Sequence, residues 1–306
     1  MAPLRVGNEK TQRKEVEMAQ DLSSLANYQE ALAAGSEEGP YVFEQIFRVD
    51  SRTARGLSKR KFRLLKAFDA LLRKMLLDGE KVYYVSYGVE TSFLESMFLG
   101  WVMYYLNRRA FVFTTSRILL IQFGGKYRPA ALHAQIPYAN INKVKPTFLG
   151  NFQLTFNNGK KSLFTKMPKY DRKMFVRIID FLKGKLSDVE AAHGGVENLC
   201  PHCFRMIEAF PRSCPACNGK FKSASRAGLL SLIFPGLGDM YLGHRGFAVL
   251  EILGALLVWV VFFTPEEGVP MEPIDYLVGA VIVFAVMHGV DALVTAKIGR
   301  KGLYPA

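Results

Sequence analysis

The sequence predicts an α+β multidomain membrane protein: a small β-barrel with a C-terminal helix, a small zinc ribbon and a C-terminal transmembrane helical hairpin. Three observations predict it. All four cysteines of the 306-residue chain fall between Cys200 and Cys217. Two long apolar runs lie near the C-terminus, at 246–264 and 274–296. Between 80 and 167 the apolar residues recur with the period of strands, and amphipathic helical patterns flank them on both sides.

Composition sets the bounds. Half of the residues (50%) are apolar, and 40 Lys+Arg against 27 Asp+Glu leave a formal net charge of +13. That balance suits a membrane surface or a nucleic acid as a neighbour. Residues 1–10 are polar and lack the apolar core of an export signal, so the N-terminus is expected in the cytosol. Residues 1–50 read as a mobile tail, with one helix over 20–34 broken by the run Gly35-Ser36-Glu37-Glu38-Gly39-Pro40.

A basic amphipathic helix is expected over 51–78, with Ser58 as N-cap and Gly79 at the C-terminal cap. Leu64, Phe68, Leu71 and Met75 recur at helical spacing, and 52–74 holds nine basic residues against Asp69 alone. Such a helix either packs on its own domain with a solvated basic face or touches anionic lipid.

Strands are expected at 81–89, 109–114, 118–123, 131–136, 141–145, 152–156 and 161–167. The alternation Phe152-Gln-Leu-Thr-Phe156 marks a half-buried strand, and Asn158-Gly159 marks a hairpin. A helix with the stripe Phe175, Ile178, Ile179 and Leu182 follows over 171–185. The stretch 93–106 interrupts the strands with 14 mostly apolar residues. It is short for a span and contains Glu95, so it packs on the barrel or dips into the membrane interface.

About seven strands and one closing helix resemble the pleckstrin-homology superfold, over 79–186. Arg109-Ala-Phe-Val-Phe-Thr-Thr-Ser-Arg-Ile-Leu-Leu-Ile121 is similar to the central hairpin of bacterial PH-like domains. Gln135-Ile-Pro-Tyr-Ala-Asn-Ile-Asn-Lys-Val144 resembles their next strand pair. The resemblance implies a module that recruits a protein or senses lipid.

Cys200-Pro-His-Cys203 and Cys214-Pro-Ala-Cys217-Asn-Gly form two knuckles with ten residues between them. Each knuckle brings two thiolates to one side of an ion, and four thiolates suit structural Zn2+ in a reducing compartment. Two disulfides or a single iron are the other readings. Cys200, Cys203, Cys214 and Cys217 leave no open coordination position for catalysis, and His202 is expected to be exposed rather than a fifth ligand. Over 196–222 the segment is too short for its own apolar core, so the metal is expected to hold it together. Gly219 is expected to permit the tight chain path after the last cysteine.

The runs 246–264 and 274–296 are each long enough to cross a bilayer. Glu266, Glu267 and Glu272 lie between them, while Lys220, Lys222, Arg226, Arg245, Lys297, Arg300 and Lys301 lie outside. The positive-inside rule then places both termini in the cytosol of a cell-membrane protein. Gly236-x-Gly238-x-x-Tyr241-x-Gly243, followed by Gly246, resembles a two-pass membrane domain family built on a Gly-rich turn and a Tyr-x-Gly element. The resemblance covers 226–298, and Asp239-Met240-Tyr241 stands where members often carry Asp-Arg-Phe. The Gly/Pro break implies that 227–243 forms a short interfacial or re-entrant segment. Glu251, His288 and Asp291 lie within the spans and are expected to face protein. Ala285, Gly289, Ala292 and Ala296 form a small-residue stripe suited to helix packing.

No nucleophile–base set, phosphate-cradling glycine loop or open metal site is recognisable. The sequence therefore points to a non-enzymatic, membrane-anchored binding or scaffold protein with a protein partner. Anionic lipid headgroups and a second copy of the chain are further partners it allows. Few aromatics accompany the ribbon's charges, which argues against nucleic acid. An oligomeric channel-like or transport-accessory subunit and a membrane-tethered nucleic-acid-binding regulator are the alternatives.

Overall fold

The computed structural model describes residues 39–47, 55–91, 104, 106–147, 151–185, 194–264 and 272–306. The helix expected at 20–34, nearly all of the 93–106 insertion and most of the acidic loop lie outside the described residues. The chain divides into two units, one of residues 1–130 and 135–196, the other of 131–134 and 197–306.

Among its described residues the first unit begins with a short helix, α1 (Phe43–Ile46), from what the sequence assigned to the tail. It is docked: Ile46 and Phe47 are buried, and the Val42 and Val82 amides donate to Val82 and Pro40 carbonyls. Helix α2 (Arg55–Met75) follows. Its apolar face, Leu64, Leu65, Phe68, Leu72 and Met75, is buried, while Lys59, Arg60, Arg63 and Lys66 point outward. The reading of a helix packed on its own domain therefore holds for that apolar face. Both expected caps are corrected. Ser58 lies inside the helix, and the helix ends four residues before Gly79. Arg117 Nη2 instead donates to the Met75 carbonyl (2.8 Å), satisfying an end that a capping glycine would have served.

Seven strands follow: β1 (Val82–Thr91), β2 (Arg108–Thr114), β3 (Arg117–Phe123), β4 (Pro129–Pro137), β5 (Ile141–Pro146), β6 (Phe152–Phe156) and β7 (Lys161–Thr165). They run in the order β5-β6-β7-β1-β2-β3-β4. All seven match expected strands to within two residues at either end. The barrel does not close. β5 is an edge strand, and β4 and β5 are joined in sequence without pairing to each other. The Asn158-Gly159 hairpin is present: Gly159 takes φ +77 and its amide donates to the Phe156 carbonyl.

Helix α3 (Lys169–Lys185) covers the sheet. Its Phe175 meets Phe111, Phe113 and Phe152 edge-on, at centroid distances of 5.1, 4.4 and 4.4 Å. All four rings are fully buried. Charges inside this core are paired. Asp171 of α3 accepts from Tyr84 Oη and Ser86 Oγ (2.6 Å each) and lies 3.3 Å from Lys61 Nζ. Burial pulls the Lys61 ammonium down to about 8 from its ordinary 10.5, against the opposing pull of Asp171. Arg117 pairs with Glu80 at 3.1 Å, and Glu80 also accepts from the Leu77 amide and the Thr114 hydroxyl. The Thr and Arg of the central hairpin are thus structural parts of the helix-to-sheet junction.

In the second unit, β8 (Glu197–Leu199) pairs antiparallel with β9 (Met206–Ile207). Four helices follow: α4 (Ala224–Ile233), α5 (Leu237–Leu242), α6 (Arg245–Phe263) and α7 (Pro273–Gly299). The expected Gly/Pro break falls at 234–236, between α4 and α5. Among the described residues, α6 and α7 are the helices long and apolar enough to cross a membrane.

Candidate metal centre

Cys200, Cys203, Cys214 and Cys217 converge: their four Sγ atoms all lie within 4.8 Å of one another. Cys200 and Cys217 approach to 3.7 Å, as do Cys203 and Cys214. All four are free thiols, which excludes the two-disulfide arrangement in this structure. A tetrahedral ion with metal–sulfur bonds of about 2.3 Å has sulfur–sulfur edges of about 3.8 Å, so the donors fit a metal of zinc's size.

The two knuckles are built alike. The Cys200 amide donates to the Arg205 carbonyl and the Phe204 amide to the Cys200 carbonyl. The Cys214 amide donates to the Gly219 carbonyl and the Asn218 amide to the Cys214 carbonyl, the same offsets. Phe204 and Asn218, each following its second cysteine, take φ +59 and +58. The left-handed position is therefore Asn218, not Gly219. Gly219 serves a close approach: a Cβ there would lie 2.3 Å from His202 Cδ2. His202 is exposed, stacks on Phe221, and stands outside the thiol cluster, as expected.

The core around the thiols is small: Cys200, Ile207, Cys214 and Leu303, with Cys203 and Phe221 packed against it. Leu303 comes from the C-terminus, which the sequence reading left without a role. That end lies along the second knuckle as a strand would, with the Lys222 amide on the Tyr304 carbonyl (2.8 Å) and the Ala306 amide on the Lys220 carbonyl (3.0 Å).

The helices hold a second polar group. Carboxylate oxygens of Asp239, Glu251 and Asp291 lie within 4.8 Å of one another. Asp239, fully buried, is the hub: it meets His244 Nδ1 at 2.7 Å and accepts from Thr295 Oγ1 at 3.0 Å. Ser231 Oγ donates to Thr295 Oγ1, and Asp291 Oδ2 accepts from the Gly236 amide. Gly238 makes this possible, because a Cβ there would lie 2.2 Å from the Ala227 carbonyl oxygen. Sequence reasoning named Glu251 and Asp291 but saw Asp239 only as part of a turn.

His288 does not join the carboxylates. Its Nε2 accepts from Trp259 Nε1 (3.2 Å), which leaves Nδ1 carrying the proton toward the Leu232 carbonyl (3.1 Å), near the end of α4. Of the small-residue stripe, Ala292 and Ala296 pack on Gly228, whereas Ala285 is exposed and Gly289 borders open space.

No family model matches the chain, and no curated protein matches it. Among solved structures, the C-terminal domain of an unknown protein from Leishmania infantum aligns at 12% identity, over 39% of this chain and 93% of its own, with a TM-score of 0.27. A likeness that faint supports no inference about fold or function.

Proposed function

We propose that this chain is a non-enzymatic, membrane-anchored binding protein. α6 and α7 cross the bilayer as a two-pass hairpin, and the PH-like sheet unit and a structural Zn2+ ribbon lie on the cytosolic side, where the sheet unit engages a partner. One observation carries the reading. Only 11% and 6% of the residues in the apolar windows of α6 and α7 are buried. The core helix of a soluble protein would bury most of that surface. Here Leu253, Leu257 and Val261 of α6 and Leu277, Val281 and Leu293 of α7 face outward, which suits lipid.

Charge supports the orientation: Arg245, Lys297, Arg300 and Lys301 lie at one end of the helix pair and Glu272 at the other. Zinc is the metal that four thiolates with 3.7 Å contacts suit best in a reducing compartment. A saturated four-thiolate site leaves no position for substrate, which supports a structural role.

Topology tests the reading. Glu272→Cys should react with a membrane-impermeant thiol reagent in intact cells, and Ala306→Cys only after permeabilisation. The reverse pattern, or release of the protein by alkaline carbonate, would overturn it.

A further inference from the structure

Helix α4 runs alongside α7, and the chain then returns beside it. On the way out, a Cβ at Gly299 would lie 2.9 Å from Ala224 Cα, and one at Gly228 would lie 3.0 Å from Ala296 Cβ. Further along, the Leu232 carbonyl accepts from His288 Nδ1 (3.1 Å). On the way back, the Gly236 amide donates to Asp291 Oδ2 (3.1 Å) and Asp239 Oδ2 accepts from Thr295 Oγ1 (3.0 Å). Leu242 Cδ1 then lies 3.8 Å from the Cβ position of Gly299. Both feet of this hairpin stand at the level of Gly299, and its tip reaches His288. About three turns of α7, or about 16 Å, separate those levels. That is close to half of an apolar layer about 30 Å thick.

The tip is built to be dry. Pro235 has no amide to leave unmet. Gly236 takes φ +87, and a Cβ there would lie 2.6 Å from the Ala248 carbonyl oxygen of α6, so the turn is wedged against both long helices. The Leu232 carbonyl and the Gly236 amide, freed where α4 stops, are met by His288 and Asp291 of α7. Water would serve such groups in an open loop, whereas within an apolar layer they need protein partners.

The outer surface of the hairpin is apolar. Between 227 and 242 the exposed side chains are Leu229, Leu232, Ile233 and Met240, while Ser231 and Asp239 are buried. This face continues that of α7, where Val290 and Leu293 are exposed at the same level. At the feet the chemistry changes. The Ser223 amide donates to Tyr241 Oη (3.2 Å), and Lys222 Nζ and Arg226 Cζ lie 5.8 and 5.4 Å from the centre of that ring. Tyrosine flanked by cations suits the boundary between membrane and water.

We infer that α4 and α5 form a re-entrant hairpin that enters the leaflet on the basic side of the α6–α7 pair, its apolar face against acyl chains and its tip capped by His288 and Asp291. The sequence left an interfacial placement equally open. A helix in the boundary plane lies across the spans, whereas α4 meets α7 at successive turns from Gly299 to His288 and so lies along it. Lipid is the occupant of the outer face because that face is continuous with the outward surface of α7. The inference rests on the proposal that α6 and α7 span the bilayer.

The test measures depth. A coumarin-bearing amino acid replaces Leu229, Ile233 or, as a reference on α6, Leu253, in full-length protein reconstituted into vesicles of phosphatidylcholine and phosphatidylglycerol. The phosphatidylcholine is brominated either near the headgroup or near the middle of the acyl chain. Mid-chain bromine should quench the probe at 233 more strongly than headgroup-proximal bromine, and the preference should shift toward the shallow bromine at 229. Asp291→Leu leaves the Gly236 amide unmet and should shift the probe at 233 toward the shallow bromine; Asp291→Asn retains an acceptor and should preserve the deep signal. The depth profile of the otherwise unaltered chain decides the placement even where Asp291→Leu fails to fold. Shallow quenching at both 229 and 233 would establish the interfacial placement and overturn the inference. Quenching at 253 with none at 233 would overturn it too, by showing protein over that face, and would leave the spans intact. No quenching at 253 would sink the spanning reading and the hairpin together. A folded Asp291→Leu protein with the deep signal unchanged would remove Asp291 from its capping role.

Discussion

The two units place the same kinds of residue in opposite positions. In the first, Phe111, Phe113, Phe152, Phe164 and Phe175 are fully buried, and the charges enclosed with them are paired. In the second, leucines, valines and phenylalanines of α6 and α7 face outward, while Asp239, Ser231, Thr295 and His288 are buried. The ribbon has almost no apolar core, since two of the four residues in its central cluster are cysteines. The difference identifies what each unit depends on. The first is held by burial of its own apolar surface. The second combines close backbone contacts and a polar interior with four cysteines placed to hold a metal ion.

Removing the proposed Zn2+ should have the largest effect. Apparent binding energies for structural zinc in small domains are about 10–16 kcal/mol, so chelation or Cys200→Ser should unfold 197–222 outright. The expected readout is rapid amide exchange there and at 303–306, whose backbone pairs with it, with β1–β3 amides unchanged. Elemental analysis should find one zinc per chain. Protection that survives verified metal loss would break the contrast, because the ribbon would then stand on its small core.

A methyl group at the contact beside Asp239 should cost less but remain severe. Gly238→Ala places a Cβ 2.2 Å from the Ala227 carbonyl oxygen, where backbone must move. Overpacking of this kind costs about 3 kcal/mol. Gly254→Ala, with nothing within 4 Å, is the control and should be neutral. Equal melting temperatures for the two variants in detergent would show that the second unit does not rely on close packing there.

An effect of comparable size sharpens the account of the first unit. Lys61 holds its proton less tightly when folded than when unfolded. Below pH 8 it is charged in both states and its burial penalty is fully present. Above pH 10.5 it is neutral in both and the penalty is gone. Its titration therefore makes stability rise between those limits, by about 3 kcal/mol at most. Lys61→Met should remove that rise while leaving Asp171 buried beside two hydroxyls without a counter-charge, a loss of about 3 kcal/mol at pH 7. Pulse proteolysis of the sheet unit across pH 7 to 10 reads both. A variant with the wild-type pH profile would assign the rise to another group.

Much of this was legible in the chain because it is local. Strand β6 shows in the period-two alternation from Phe152 to Phe156, β2 and β3 in apolar runs flanking a polar turn, α3 in the stripe from Phe175 to Leu182, and the knuckles in two Cys-x-x-Cys pairs. Caps were less legible. Ser58 and Gly79 are good capping residues, but Arg117, 42 positions beyond Met75, takes the carbonyl at the end of α2. The glycine motif at 236–243 was visible as a turn, while its purpose, bringing α5 against Ala227 and Thr295 beside Asp239, was not.

The sequence by itself determined the order of β1–β7 and of α2, α3, α6 and α7, the four thiol donors and the two long apolar runs, since each depends on residues a few positions apart and on the repeat of strand or helix. Tertiary structure alone decided the rest. It left the sheet open, because closure needs β4 and β5 to meet at a register no local pattern encodes. It set Leu303 under the metal knuckles and made Asp239 the polar hub. It drew Arg60, Arg108, Lys126 and Lys166 around one cavity. These are meetings of side chains tens of positions apart, and only the packed chain brings them within reach of one another.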